Sequence, residues 1–290
     1  MRIGLHLSTA RDAANAVEMA RRLGLDCLQI FAGSPRTWRR VAWSAEETAR
    51  FRAGAALAGL DPVVIHAPYL INLAAADEAL WSKSIEALTD QLRMAQAIGA
   101  AGVVVHPGSR GARPLDWGLE RVAQGAARAL AAAGGQSKVI LENTCGAGGA
   151  LGGRLEQLAA MLDLLGDAPC AVCLDTAHAW GAGYDISSAD GAAAFVDQVD
   201  DVVGLESVLL WHFNDMKLPC GCGRDIHAHL GRGRIGRAGL AGLAQDPRLA
   251  AAAAVMETPK DSRWADRRNV LYLRRLVLGQ APGGLLTPTA

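Results

Sequence analysis

Six apolar runs in this sequence each close on a side chain that can bind a metal or move a proton. They are Val63-Val64-Ile65-His66, Val103-Val104-Val105-His106, Val139-Ile140-Leu141-Glu142, Cys173-Leu174-Asp175, Leu209-Leu210-Trp211-His212 and Val255-Met256-Glu257, with His178 just past Asp175. One histidine ending such a run is more often a hydrogen-bonded core residue than a ligand, but that reading does not explain six endings of the same kind. Imidazole and carboxylate together suit zinc, manganese or iron, and thiolate is absent from the set. Asp225-Ile226-His227 adds a pair two residues apart. In an extended segment the two share a face and can chelate one ion. Asp175 and His178 are three apart, would point oppositely if extended, and would then serve different ions. Nine candidates exceed the roughly four to six positions of a single ion, so two or three ions are expected. Divalent ions about 3.5–4 Å apart can bind a phosphodiester, generate hydroxide near neutral pH and stabilise a leaving oxygen.

Run ends of this kind need a scaffold that gathers them. Strands are predicted at 2–7, 27–32, 62–67, 102–107, 138–143, 171–176, 208–213 and 253–258. Helical patterns lie between them at Ala13–Leu23, Glu46–Ala58, Glu78–Ile98, Leu119–Ala132, Leu155–Leu165, Ala192–Val203, Leu240–Ala244 and Asn269–Val277. Gly24, Gly59, Gly99, Gly134 and Gly166 follow five of these helices, where a terminating glycine is expected. Strict alternation of eight strands and eight helices predicts an α/β fold, the (β/α)8 TIM barrel, with its site at the carboxyl ends of the strands. A doubly wound open sheet would need a glycine-rich first turn, and Ser8-Thr9-Ala10-Arg11 is not one. No break in composition marks a linker. A single domain over 1–290 is expected, with a core at about 2–278 and 279–290 as a flexible tail.

The 29 basic and 29 acidic side chains cancel, so no global field draws the molecule to DNA or a membrane. Basic character is local. Arg36, Arg39 and Arg40 follow the second strand, Arg110 and Arg113 the fourth, and Lys217, Arg224, Arg232, Arg234 and Arg237 the seventh. Collected at one end of a neutral molecule, they fit a phosphate backbone better than scattered solvated charge. No apolar run approaches the ~18 residues of a membrane span. Met1 to Ser8 reads as a strand and not as a secretion signal, so a cytoplasmic protein without a membrane partner is expected. The six cysteines do not form a disulfide framework. Cys170 and Cys173 should leave opposite faces of a strand, and Cys220-Gly221-Cys222 lacks the second pair of a metal clip.

The string of motifs resembles the endonuclease IV family, the trinuclear zinc apurinic/apyrimidinic endonucleases. It comprises His66-Ala67-Pro68-Tyr69-Leu70-Ile71-Asn72-Leu73, His106-Pro107-Gly108-Ser109, Leu141-Glu142-Asn143-Thr144, Asp175-Thr176-Ala177-His178 through Tyr184-Asp185, and His212-Phe213-Asn214-Asp215, in order between Ile3 and about Leu276. The resemblance implies three zinc ions per chain, with manganese admissible at one site. His66, His106 and Glu142 would hold the first. Glu142 would bridge to a second held also by Asp175, His212 and Glu257, and His178, Asp225 and His227 would hold the third. A hydroxide between the first two would attack the phosphate 5′ to an abasic site in double-stranded DNA, leaving a 3′-hydroxyl and a 5′-deoxyribose phosphate. Arg36, Tyr69 and Leu70 would form a wedge in the base stack, with Arg110 as a phosphate contact and the protein a monomer. Two loops depart from the family pattern, at Gly221-Cys222-Gly223-Arg224-Asp225-Ile226-His227 and at Ala147, where the family has glutamine. His6 is read as a supporting residue and His229 as a loop residue.

Two other classes make different use of these residues. A sugar isomerase or epimerase of the related xylose-isomerase-like type needs only Glu142, Asp175, His212 and Glu257 with one manganese. It would have no use for His66, His106, His178, Asp225 and His227 together. A non-catalytic DNA-binding module would not need a complete ligand set at all.

Overall fold

β-Branched and aliphatic runs bounded by polar or glycine positions form the strands of the barrel. The computed structural model describes residues 1–10, 12–39 and 43–281. Arg40 and most of the expected tail, 282–290, lie outside the described residues. In chain order the strands are β1 (Arg2–Leu7), β2 (Cys27–Ile30), β3 (Val63–His66), β4 (Gly102–Val105), β5 (Lys138–Glu142), β6 (Cys170–Asp175), β7 (Val208–His212), β8 (Asp215–Met216), β9 (His227–Ala228) and β10 (Ala253–Met256). The helices are α1 (Ala14–Leu23), α2 (Ala45–Leu57), α3 (Glu78–Ile98), α4 (Leu115–Ala133), α5 (Leu155–Leu165), α6 (Thr176–Ala182), α7 (Ala189–Val202), α8 (Gly236–Gln245) and α9 (Ala265–Val277). Strands β1 to β7 and β10 pair in parallel and close, in the order β1-β10-β7-β6-β5-β4-β3-β2. This is the expected TIM barrel. The eight expected strands are all present; β1 ends where expected and the other seven end one to two residues earlier than the apolar runs suggested.

The helix starts differ more. α4, α7, α8 and α9 begin three or four residues ahead of their apolar pattern. Their first turns carry Asp116, Asp190, Arg237 and Asp266, which break the apolar period, although the three acids favour a helix N-terminus electrostatically. Polar caps mark other starts. Ser44 makes a reciprocal capping box with Glu47, and Asp77 accepts from the Leu80 amide. The sequence reading also omitted two elements: the seven-residue helix α6 directly after β6, and the antiparallel hairpin β8–β9 after β7.

Strand side chains alternate between two cores. One core lies between barrel and helices and includes Leu5, Leu28, Ile65, Val105, Leu141, Leu174 and Trp211. The other fills the barrel interior with Cys27, Val64, Val104, Ile140, Cys173, Leu210 and Val255. Cys170 packs against the outer core and Cys173 lies in the inner one, on opposite faces of β6 as expected. β1 contributes no side chain to this apolar layer, because a Cβ on Gly4 would lie 2.5 Å from the Cys27 carbonyl oxygen. Two residues further along each of the eight strands, on the same face, stand His6, Gln29, His66, His106, Glu142, Asp175, His212 and Glu257. The period of two therefore delivers a ring of polar side chains at the carboxyl end, above an apolar plug. No helix among the described residues is long and apolar enough to cross a membrane.

Candidate metal centre

Glu142 is fully buried at the end of β5, and its two oxygens face different partners. Oε2 lies 3.2 Å from His66 Nε2 and 3.1 Å from His106 Nε2, while Oε1 lies 2.8 Å from His212 Nδ1. His66, His106 and Glu142 form one group whose ligand atoms lie within 4.8 Å of one another. Glu142, Asp175, His212 and Glu257 form a second, central group by the same measure, and Asp175, His178 and His227 a third. Asp225 stands beside the third group, with Oδ1 2.9 Å from His227 Nε2 and Oδ2 3.3 Å from His178 Nε2. All nine candidate residues thus meet in one place.

Asp175 and His178 are not opposed, as an extended segment would place them. The chain turns into α6 at Thr176, and Asp175 caps that helix through Oδ1, accepting from the amides of Ala177 and His178. One helical turn brings the imidazole back over the carboxylate, so both residues join the same group. Asp175 Oδ2 is left facing His227 at 3.5 Å and His212 at 3.8 Å.

Asp225 and His227 come from outside the barrel. They ride on the excursion between β7 and α8, and one buried carboxylate pins its two ends together. Asp215 accepts from the amides of Met216, Gly233, Ile235 and Gly236. A Cβ at Gly233 would lie 2.3 Å from Asp215 Oδ1, which explains the glycine there.

The donor set fits cations in its tautomers as well as its composition. The Nδ1 atoms of His66, His178 and His227 lie 2.8, 2.8 and 3.2 Å from the carbonyl oxygens of Ala67, Asn143 and Glu257. Such contacts place the proton on Nδ1 and leave the Nε2 lone pair for an ion. His227 Nε2 is buried and hydrogen-bonds to nothing, despite the Asp225 oxygen close by. It is near a carboxylate but not aligned with it, the geometry of two ligands aimed at a common third point.

The electrostatics agree. Burial opposes charge on the imidazoles of His66, His178 and His227, yet the surrounding carboxylates overturn it. His66 is raised by Glu142 and Glu257, His178 by Asp175 and Asp225, and His227 by Asp175 and Asp225, to about 9. Burial likewise opposes charge on Glu142, Glu257 and Asp225, and the histidines hold all three well below the usual carboxylate range. A pocket that draws protons onto imidazoles this strongly also attracts divalent cations, which compete for the same lone pairs.

Two open cavities of about 750 and 580 Å³ flank the cluster, and Tyr69, His106, His178 and Asp225 line both. Tyr69 is 56% exposed and packs on His66 at 5.5 Å and Phe31 at 5.6 Å between ring centroids. Burial, with Glu257, Glu142 and Asp225 nearby, pushes its phenol up to about 12, so it stays neutral. Leu70 lines the smaller cavity. Arg36 is exposed on the β2 loop, which the Tyr69 amide joins to the β3 loop by donating to the Pro35 carbonyl. Arg39, Arg113, Lys217, Arg224, Arg232 and Arg234 are exposed on the loops where the sequence put them, and Arg237 is exposed in the first turn of α8. Arg110 is half-buried and its guanidinium is turned onto the Arg113 carbonyl.

His229 pairs with Asp261 away from the cluster, and His6 lies 2.9 Å from Glu257 without joining any ligand group. All six cysteines are free, and Cys220 and Cys222 join no ligand group among the described residues. Sequence reasoning missed Gln29, which is fully buried between His212 and Glu257. The two-residue offset from Cys27 would have found it.

The xylose isomerase-like TIM barrel family matches residues 17–276 of the chain. Endonuclease 4 of a Thermus thermophilus strain is 47% identical over 277 residues, covering 94% of this chain and 97% of that protein. The crystal structure of endonuclease IV from Thermus thermophilus matches with a TM-score of 0.87 at 43% identity, over 96% of this chain and 100% of that one. A D-tagatose 3-epimerase-like protein shares the fold at a TM-score of 0.68 and 19% identity, over 96% of this chain and 99% of its own.

Proposed function

Because this chain belongs to the endonuclease IV family of xylose isomerase-like TIM barrels, we propose that it is a metal-dependent DNA repair endonuclease acting at abasic sites in duplex DNA. It hydrolyses the phosphodiester 5′ to the lesion and leaves a 3′-hydroxyl and a 5′-deoxyribose phosphate. The observation that carries this reading is Glu142, which presents one oxygen to the His66–His106 pair and the other to His212. A one-ion sugar isomerase would not need that arrangement.

Three zinc ions would be held by His66, His106 and Glu142, by Glu142, Asp175, His212 and Glu257, and by His178, Asp225 and His227. Bound there, they would supply Lewis-acid charge to a phosphate and lower the pKa of water towards neutrality. The chain's own residues do the rest. Main-chain carbonyls hold three imidazoles in one tautomer, so the ligand atoms are set before DNA arrives. Tyr69 and Leu70 line the smaller cavity beside the cluster, and with Arg36 on the tethered neighbouring loop they would act as an apolar wedge with a cationic edge. Unstacking a base step costs a few kcal/mol, and less where a base is already missing, which favours the lesion over intact duplex. The loop arginines meet the phosphate backbone.

The test is a duplex carrying one abasic analogue, with the nick mapped and metals counted in the same preparation. A single nick 5′ to the lesion and close to three metals per chain, largely zinc, are expected. An intact duplex with one manganese per chain and turnover of a ketose would establish the isomerase reading instead.

A further inference from the structure

Gln29 is fully buried on β2 and brings a neutral carboxamide, not an imidazole or carboxylate, to the ring. Its carboxamide lies between two members of the central group: Oε1 is 2.8 Å from His212 Nε2, and Nε2 is 2.6 Å from Glu257 Oε1. Chemistry fixes which way that amide faces. A carboxylate accepts hydrogen bonds and donates none, so the amide edge against Glu257 is the NH2. The amide oxygen is then turned to His212, and a hydrogen bond there requires the proton on Nε2. A neutral imidazole protonated at Nε2 keeps its lone pair on Nδ1. Nδ1 is the atom that faces Glu142, Glu257 and Asp175, at 2.8, 3.6 and 3.8 Å.

His212 is therefore the reverse of its neighbours. His66, His178 and His227 take their tautomer from main-chain carbonyls and offer Nε2, whereas His212 takes its own from a side chain and offers Nδ1. We propose that Gln29 is a positioning residue for the central ion, selecting the Nδ1-ligating tautomer of His212 and joining that ring to Glu257 through one amide. This rests on the ligand assignment proposed above. Two ligands of one ion, from separate strands, are thereby held to a single amide that touches no ion. Loss of such an outer partner lowers metal affinity by about 10–100-fold in metal sites generally.

The experiment compares the parent chain with Gln29→Met, which keeps size and apolar contact but neither donates nor accepts as an amide does. Both are loaded with zinc, dialysed against a zinc buffer and analysed for metal. The parent should hold about three ions, and the variant should hold one fewer, its central affinity about 10–100-fold weaker. Thermal unfolding of the two chelated proteins should agree within a few degrees, since the amide's role is exercised on the ion. Histidine-selective nitrogen-15 spectra of the zinc-loaded parent should show His212 protonated at Nε2 and metallated at Nδ1, a readout that needs no variant. Full metal retention by the variant, equal loss of all three ions with early unfolding, or a His212 proton at Nδ1 would each overturn the role of Gln29. A parent chain without metal would overturn the functional reading as well, and it is seen before the variant is made.

Discussion

On β5, Ile140 and Glu142 point into the barrel two residues apart, one into an apolar plug and the other into a ring of imidazoles and carboxylates. The same contrast recurs at Val64 and His66, Leu210 and His212, and Val255 and Glu257. Burying an unpaired ion costs several kcal/mol, so the upper layer contributes little stability of its own and is tolerable only where its charges are paired. The lower layer closes the barrel and so fixes the rim from which the candidate ligands project. Stability and chemistry are separated by a single strand repeat of about 7 Å.

Substitutions on the two layers should accordingly fail in different ways. The largest effect is expected from Glu142→Ala. It removes both oxygens that face the neighbouring candidate groups, and nicking should fall by about 10³-fold or more, beyond the loss typical of one charge-stabilising donor. Metal content should drop with it, while an active variant with full metal would break the contrast. Below the rim, Leu210→Ala should cost about 2–5 kcal/mol of stability, as buried leucine truncations do, and still bind about three ions. Chemical denaturation with a metal count would check both halves.

A pH series on chelated protein sharpens the contrast further. The raised imidazoles, His227 at about 9 among them, contribute stability that is fully present below their unfolded value of roughly 6.5 and is lost as pH rises through about 9. The depressed carboxylates are ionised throughout that window and add no slope. Chelated protein should melt lower at pH 9 than at pH 6, whereas zinc-loaded protein, with its imidazoles already deprotonated, should not follow. A flat calorimetric profile for the chelated form would mean that the ring is not charge-paired.

The smallest effect on the fold should come from the exposed loops. Tyr69→Ala with Leu70→Ala should leave zinc content and melting nearly unchanged, yet remove much of the preference for abasic over intact duplex in competition binding. Arg110→Ala should weaken both duplexes alike and lower the salt slope by about one. Its guanidinium must first leave the Arg113 carbonyl, which makes a weak effect the expected one. Full discrimination by the Tyr69–Leu70 variant would place recognition elsewhere.

The ring was legible in the sequence where an apolar run stopped abruptly at a charge, as at Ile65-His66 or Leu141-Glu142. It was not legible at Gln29, an uncharged residue inside the run Cys27-Leu28-Gln29-Ile30-Phe31. His6 was seen, but without a partner. The alternation that would have placed both starts at Gly4 and Cys27, and neither looks like a barrel filler until the close approach of their strands is seen. The turn into α6 was hidden because Asp175 ends a strand and caps a helix at once, so spacing rules for extended chain did not apply to His178.

Asp215 clasps the two ends of the segment that carries Asp225 and His227, so that segment is closed at its base before it reaches the rim. A loop closed in this way can lengthen or shorten at little thermodynamic expense, about 0.6 kcal/mol for each doubling. The strands need not shift to accommodate it. In a barrel of this kind, the number of side chains that a loop brings to the rim can therefore change by insertion or deletion in one turn, with the eight-strand frame left intact.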